Sequence, residues 1–180
     1  MYTRVVASVV AQIVALLALF CSGLAAAHPP RAGDEGVFFG PLVRVKDGDS
    51  LVVKVQGVAM DFRLAEIDAP ELDQPYGRAA KQELAALVAG KQLVLVPLDT
   101  DRYGRTVAQV WNGDTHVNRE LVKRGAAWFY SEFARSAALY EVEQEARGAK
   151  RGLWALPLQD RIEPWEWRQR KSRESRGSRK

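Results

Sequence analysis

The stretch from Gly36 to Ile67 constrains the fold of this chain more than any other. Val37-Phe38-Phe39 and Leu42-Val43-Arg44-Val45 run up to a turn at Asp47-Gly48-Asp49. Leu51–Val55 then reads as a strand, Gln56-Gly57 as a second turn, and Met60–Leu64 as an alternating strand. β-rich runs separated by Asp-Gly and Gly turns are hairpin signals, so a three-strand meander is expected here. Pro70 and Pro75 bracket a loop, and a helix is expected from about Tyr76. Ala80, Leu84, Leu87 and Val88 fall on one face of that helix, and Gly90 stands where a C-terminal cap glycine belongs.

Gln92–Leu98 and Thr106–Trp111 read as further strands, joined by a polar loop containing Tyr103-Gly104-Arg105. Asn112-Gly113-Asp114 is another tight turn. A second helix is expected from about Val117 to Arg124, stopping at Gly125, and a third from about Ser136 to Gly148 with Leu139, Val142 and Ala146 on one face. Five strands with a helix after the third is the order of an OB-like barrel. The expected class is therefore α+β, a five-stranded OB-like β-barrel with three helices. Pro157, Pro164 and Trp165-Glu166-Trp167 read as an extended segment draped on the body.

The two ends of the chain differ from its middle. Arg4, the apolar run Val5–Phe20 and the small residues ending at Ala25-Ala26-Ala27 have the order of a secretory signal, with cleavage near Ala27. The run is about 16 residues, short of the ~20 that a membrane span needs. Residues 1–27 are thus set apart as a signal peptide, leaving residues 28–167 as one domain and an exported protein, periplasmic or extracellular. The single cysteine, Cys21, lies in the leader, so the exported part must be stable through packing without disulfides. The net charge of +4 is uneven. Residues 28–167 hold 18 Lys+Arg against 21 Asp+Glu, a net of −3, whereas residues 168–180 hold seven against one, a net of +6. The latter segment has no apolar residue and is expected to be a disordered basic tail, suited to contact with an anionic surface.

For chemistry, His28 and His116 lack a His or Cys partner nearby, which argues against a zinc site. No Gly-x-Ser-x-Gly, Walker or Rossmann fingerprint occurs. Carboxylates and arginines remain. Asp49, Asp68 and Glu71 flank strand ends that a meander can bring together, and oxygen-only clusters suit hard cations. They serve equally well as ordinary turn formers. Arg63 sits mid-strand with its side chain opposite to Phe62 and Leu64, either solvated or leaning into a cleft. Arg105 sits in a Tyr-Gly-Arg turn, and two fixed guanidiniums opposite a dication are what phosphoryl displacement needs.

Asp47-Gly48-Asp49-Ser50, Phe62-Arg63-Leu64, Ile67-Asp68-Ala69-Pro70-Glu71, Asp101-Arg102-Tyr103-Gly104-Arg105 and Val117-Asn118 occur in the order and near the spacing of the staphylococcal-nuclease family, which this chain resembles over roughly residues 38–155. The resemblance implies a Ca²⁺-dependent hydrolase of DNA and RNA phosphodiesters, acting as a monomer and leaving 3′-phosphate ends. It implies Ca²⁺ ligation by Asp49, Asp68 and the Ala69 carbonyl. Glu71 would act on the attacking water, Arg63 would hold the scissile phosphate, and Arg105 would stabilise the transition state. Arg102 and Tyr103 would contact a neighbouring phosphate. Ser50 and Ala69 each replace a threonine. The family's base-stacking tyrosine pair is matched only loosely, with Tyr130 near Ser131 and Phe133. Two other readings fit an OB-like barrel: a module that grips single-stranded nucleic acid without cutting it, and an envelope-associated interaction protein docked through its tail.

Overall fold

Strands β1 (Phe38–Val45), β2 (Ser50–Val55) and β3 (Val58–Leu64) form the expected antiparallel meander, with Leu51 facing Phe62 and Val53 facing Met60. The structure is a computed structural model that describes residues 29–90, 92–130 and 137–177. The signal peptide, Ser131, Phe133 and the proposed helix start at Ser136 lie outside the described residues. After the short strand β4 (Ile67–Asp68) come helix α1 (Gly77–Val88) and strands β5 (Gln92–Thr100) and β6 (Thr106–Asn112). β5 pairs with both β1 and β6, and β6 runs parallel to β3 from Phe62↔Thr106 to Leu64↔Ala108. That last pairing closes a five-stranded barrel from β1, β2, β3, β5 and β6.

Closure explains the burial pattern. In β2, Leu51, Val52 and Val53 are all buried, while in β3 the alternation survives: Phe62 and Leu64 are buried and Arg63 between them is not. α1 buries Ala80, Leu84, Leu87 and Val88, the face its spacing predicts. After the short strand β7 (Thr115–His116), α2 (Val117–Lys123) and α3 (Ala137–Gly148) add Leu121, Leu139 and Val142 to the same core. The two-residue strand β8 (Trp128–Phe129) pairs with β4, tying the segment after α2 to Asp68. A second, smaller cluster gathers Trp128, Ala146, Leu153 and Trp154, with Trp165 packed against it.

One expectation needs correction. Four helices longer than one turn are present among the described residues, because Pro164–Gly177 forms α4 where an extended segment and a disordered tail were expected. Proline at the first helical position has the right φ and no N–H to leave unpaired, so it starts a helix well. Trp165 then packs edge-on to Trp128, with ring centroids 6.1 Å apart, and Trp167 donates its indole N–H to Asp73 at 3.2 Å. The basic stretch beyond has no apolar face, but Arg168 and Lys171 are paired with acids on the body. Docking of this helix therefore rests on two tryptophans and a set of ion pairs rather than on core burial. Residues 178–180 lie outside the described residues.

The strap of polar groups along β6 carries a pH-dependent contribution to stability. His116 stacks on Trp111 with centroids 4.6 Å apart and bonds Gln109, whose amide donates to Glu66 at 2.7 Å. Burial pushes the His116 imidazole down to about 4, against the pull of Glu66. Above pH 6.5 the ring is neutral folded or unfolded. Between 6.5 and about 4 the unfolded chain takes up a proton that the folded chain refuses, so stability falls as pH falls through that window. A loss of about 2 kcal/mol between pH 7.5 and 5 is expected from this group. Urea denaturation of the wild type and His116→Gln at both pH values measures it; an equal pH dependence in the two proteins would refute the assignment.

Candidate active site

The site begins at the turn into β2. A side chain on Gly48 would meet the Ala69 and Ala80 Cβ atoms at 2.6 and 2.9 Å, so glycine lets this turn pack directly on the start of α1 and the segment after β4. The result is that Asp49 lies against Ala69, whose N–H donates to Asp49 Oδ2 at 3.0 Å. Asp68, one residue earlier, is 1% exposed. Arg63 Nη2 stands 3.0 Å from Asp68 Oδ1 and 3.5 Å from Asp49 Oδ2. One guanidinium nitrogen thus spans two carboxylates that are 19 residues apart in sequence, and both converge on one point.

Arg105 reaches Asp49 indirectly, through Ser50. Asp101 accepts the N–H groups of Tyr103 and Arg105 at 2.9 and 3.0 Å and the Arg105 Nε at 2.7 Å, which sets both the loop and the side chain. Arg105 Nη1 then donates to Ser50 Oγ at 3.2 Å, and Ser50 Oγ donates to Asp49 Oδ1 at 2.9 Å. Ser50, which the sequence marks only as a replacement for threonine, is the link between the two halves. Arg102 and Arg105 both lie over the Tyr103 ring, 5.2 and 5.7 Å from its centroid, and that ring is 72% exposed. Arg102 and Tyr103 therefore form the outer part of this loop, away from Asp68.

Glu71 is held by a second close approach. A Cβ on Gly77 would fall 1.7 Å from the Glu71 carbonyl oxygen, so only glycine allows α1 to start there. The Glu71 N–H donates to Gln74 Oε1 at 3.1 Å, and Gln74 N–H returns to the Glu71 carbonyl at 2.8 Å. The carboxylate joins Asp68 through a residue that sequence reasoning had left in the tail. Arg168 of α4 donates Nη1 to Glu71 Oε1 at 2.8 Å and to Asp68 Oδ1 at 3.1 Å, and Nη2 to Asp68 Oδ2 at 2.7 Å. Tyr130 stacks on Trp165 of the same helix, with centroids 5.2 Å apart and planes at 27°. One face of its ring therefore lies against α4.

Electrostatics follow from crowding acids in a buried place. Burial, reinforced by the charge of Asp49, pushes Asp47 up to about 6. Burial also raises the Asp68 carboxyl, although Arg168 and Arg63 pull it back. Burial works against the charge of Arg63, but Asp49 and Asp68 outweigh it and hold the guanidinium above its ordinary value. The acids are short of positive charge. No group of three or more His, Cys, Asp or Glu side chains assembles as a metal cluster among the described residues. The convergent Asp49 and Asp68 carboxylates, with no soft ligand beside them, still fit a hard cation that completes its shell with backbone oxygen and water.

Comparison with known proteins points the same way as the geometry. The family model described as staphylococcal nuclease homologue matches residues 61–156. The chain is 43% identical over 133 residues to a protein of Escherichia coli O157:H7 named an uncharacterized endonuclease, covering 73% of this chain and 86% of that protein. It is 39% identical over 142 residues to the micrococcal nuclease of Shigella flexneri, covering 73% and 80% respectively. A probable staphylococcal-like nuclease of Oryza sativa subsp. japonica is 39% identical over 110 residues, which are 61% of this chain and 33% of that longer protein.

Proposed function

The chain belongs to the staphylococcal-nuclease family and is a nuclease, and from that premise we propose that it hydrolyses DNA and RNA phosphodiesters with Ca²⁺, breaking the P–O5′ bond and leaving 3′-phosphate and 5′-hydroxyl ends. The observation that carries this reading is the convergence of two arginines on Asp49, Arg63 directly at Oδ2 and Arg105 at Oδ1 through Ser50, with Asp68 sharing Arg63. Asp49, Asp68 and the Ala69 carbonyl would hold the cation, which would supply Lewis-acid polarisation of the phosphate. Glu71 takes a proton from the attacking water at its free carboxylate oxygen. Arg63 binds the non-bridging oxygens of the scissile phosphate, and Arg105 stabilises the charge that grows on them in the pentacoordinate transition state. Arg102 and Tyr103 meet the neighbouring phosphate on the exposed side of their loop. The protein acts as a monomer outside the cytoplasm, after loss of residues 1–27.

Digestion of plasmid DNA by the purified protein tests the cation. Ca²⁺ is expected to support cutting, Mg²⁺ to support it poorly because the smaller ion demands stricter octahedral geometry, and excess EGTA to abolish it. Full activity in EGTA would overturn the reading, as would products carrying 5′-phosphate ends.

A further inference from the structure

α4 places a cation of the chain's own on the acids that the proposed function assigns to catalysis. Both oxygens of Asp68 are occupied by guanidinium N–H groups, Oδ1 by Arg63 and Arg168 and Oδ2 by Arg168 alone. Glu71 Oε1 is held by the same Arg168. The contact to Asp68 is bidentate, the strong geometry for an arginine–carboxylate pair. Arg168 is partly exposed at 41%, whereas Asp68 is 1% exposed, so the guanidinium caps the acid from the solvent side.

We propose that Arg168 is a built-in competitor for the catalytic cation, so that cation binding and docking of the Arg168 side chain on Asp68 and Glu71 oppose each other. The inference rests on the reading of Asp68 as a Ca²⁺ ligand. Charge balance supports it. Asp49, Asp68 and Glu71 carry three negative charges, of which Arg63 offsets one; Arg168 offsets a second, and a dication would offset both that remain. Both together over-neutralise the site, and a cation needs the oxygen lone pairs that Arg168 now occupies. Linkage then requires that the apparent cation affinity fall by the fraction of molecules in which Arg168 is withdrawn.

The architecture allows Arg168 to let go without losing α4. Upstream, Trp165 is stacked on Tyr130 and edge-on to Trp128, and Gln74 donates to the Ile162 carbonyl. These contacts contain no catalytic acid, so they keep the start of α4 in place when Arg168 leaves. Asp73 holds Trp167 and Lys171 on the flanks of the contact, which keeps the arginine close to the acids and its effective concentration high. The match to the family model, residues 61–156, ends before this helix begins.

Calorimetric titration of Ca²⁺ into the full chain tests the proposal. Arg168→Gln is expected to bind Ca²⁺ about 5- to 150-fold more tightly than the wild type, the usual range for coupled sites. Arg170→Gln removes the same charge from the same helix at a residue whose ion pair among the described residues is with Glu166, at 3.4 Å, and should change affinity far less. In the wild type, Ca²⁺ should also speed hydrogen exchange at the α4 amides around Arg168. Equal affinities for wild type and Arg168→Gln, or equal gains from the two substitutions, would overturn the competition and leave the proposed metal site standing. Weaker binding by Arg168→Gln would overturn it too, making the arginine a helper. No Ca²⁺ binding by any of the proteins would overturn both this inference and the metal site.

Discussion

Arg63→Ala is expected to lower turnover by about 10³- to 10⁵-fold, the range found when a transition-state arginine is removed from phosphoryl transfer. Arg63 lies on the polar side of β3 while Phe62 and Leu64 face the core. Its work is electrostatic, since a guanidinium opposite the growing phosphate charge stabilises the transition state more than the ground state. The loss should therefore fall on kcat as well as kcat/KM. Arg63→Lys keeps a charge but not the rigid planar guanidinium whose Nη2 lies between Asp49 and Asp68, and should recover little. Arg105→Ala should behave alike, and Glu71→Gln should cost about 10²- to 10⁴-fold as expected for loss of a general base. Arg63→Ala also leaves Asp49 and Asp68 without their shared partner, so folding must be compared in Ca²⁺ by circular dichroism. A folded variant with near-wild-type turnover would remove that residue from the mechanism.

The barrel was legible because its signals are local. Asp-Gly turns, alternation in Met60–Leu64 and the Ala80–Leu84–Leu87–Val88 spacing each specify an element from neighbours in sequence, and each is found. The pairing that closes the barrel is not local, since β3 and β6 are separated by α1 and β5, but the OB-like order implied it. What escaped was every feature whose meaning lies in a distant partner. Residues 168–180 read as a solvated basic tail because they hold seven basic residues, one acid and no apolar side chain. Their partners Asp68, Glu71 and Asp73 lie about a hundred residues upstream, and only the fold brings them together. Ser50 was similarly opaque: a hydroxyl beside an acid is common, and its role as the link from Arg105 to Asp49 exists only in three dimensions. Nothing local to Tyr130 marks its stacking on Trp165, which lies 35 residues further along the chain.

Asn118→Ala should be among the most destabilising polar substitutions in the chain, costing about 3–5 kcal/mol from two orphaned buried backbone groups and a small cavity. The side chain is fully buried on α2. Its Oδ1 accepts the Val110 N–H at 2.9 Å, and its Nδ2 donates to the carbonyls of Ala65 at 3.0 Å and Ala108 at 3.2 Å. The need for these bonds follows from how the barrel closes. β3 accompanies β6 only as far as Leu64↔Ala108 and then turns away, and β7 pairs with β6 only from Trp111 on, so Gln109 and Val110 fall in a gap between the two strands on this side. Asn118 takes the strand's place there, pairing one more backbone N–H of β6 and pinning the turn that leads to Asp68. In Asn118→Ala, the Ala108 carbonyl keeps the Ala65 N–H at 2.9 Å, but the Val110 N–H and the Ala65 carbonyl lose their Asn118 bonds. Asn118→Asp is expected to be no better, because a carboxylate still accepts from Val110 yet faces two carbonyl oxygens with no proton to offer. Urea denaturation at pH 7.5 reads both effects, since the His116 contribution is then absent. A loss below about 1 kcal/mol, the scale of a single replaceable hydrogen bond, would mean that water or a shifted strand satisfies these groups and that Asn118 does not hold the closure.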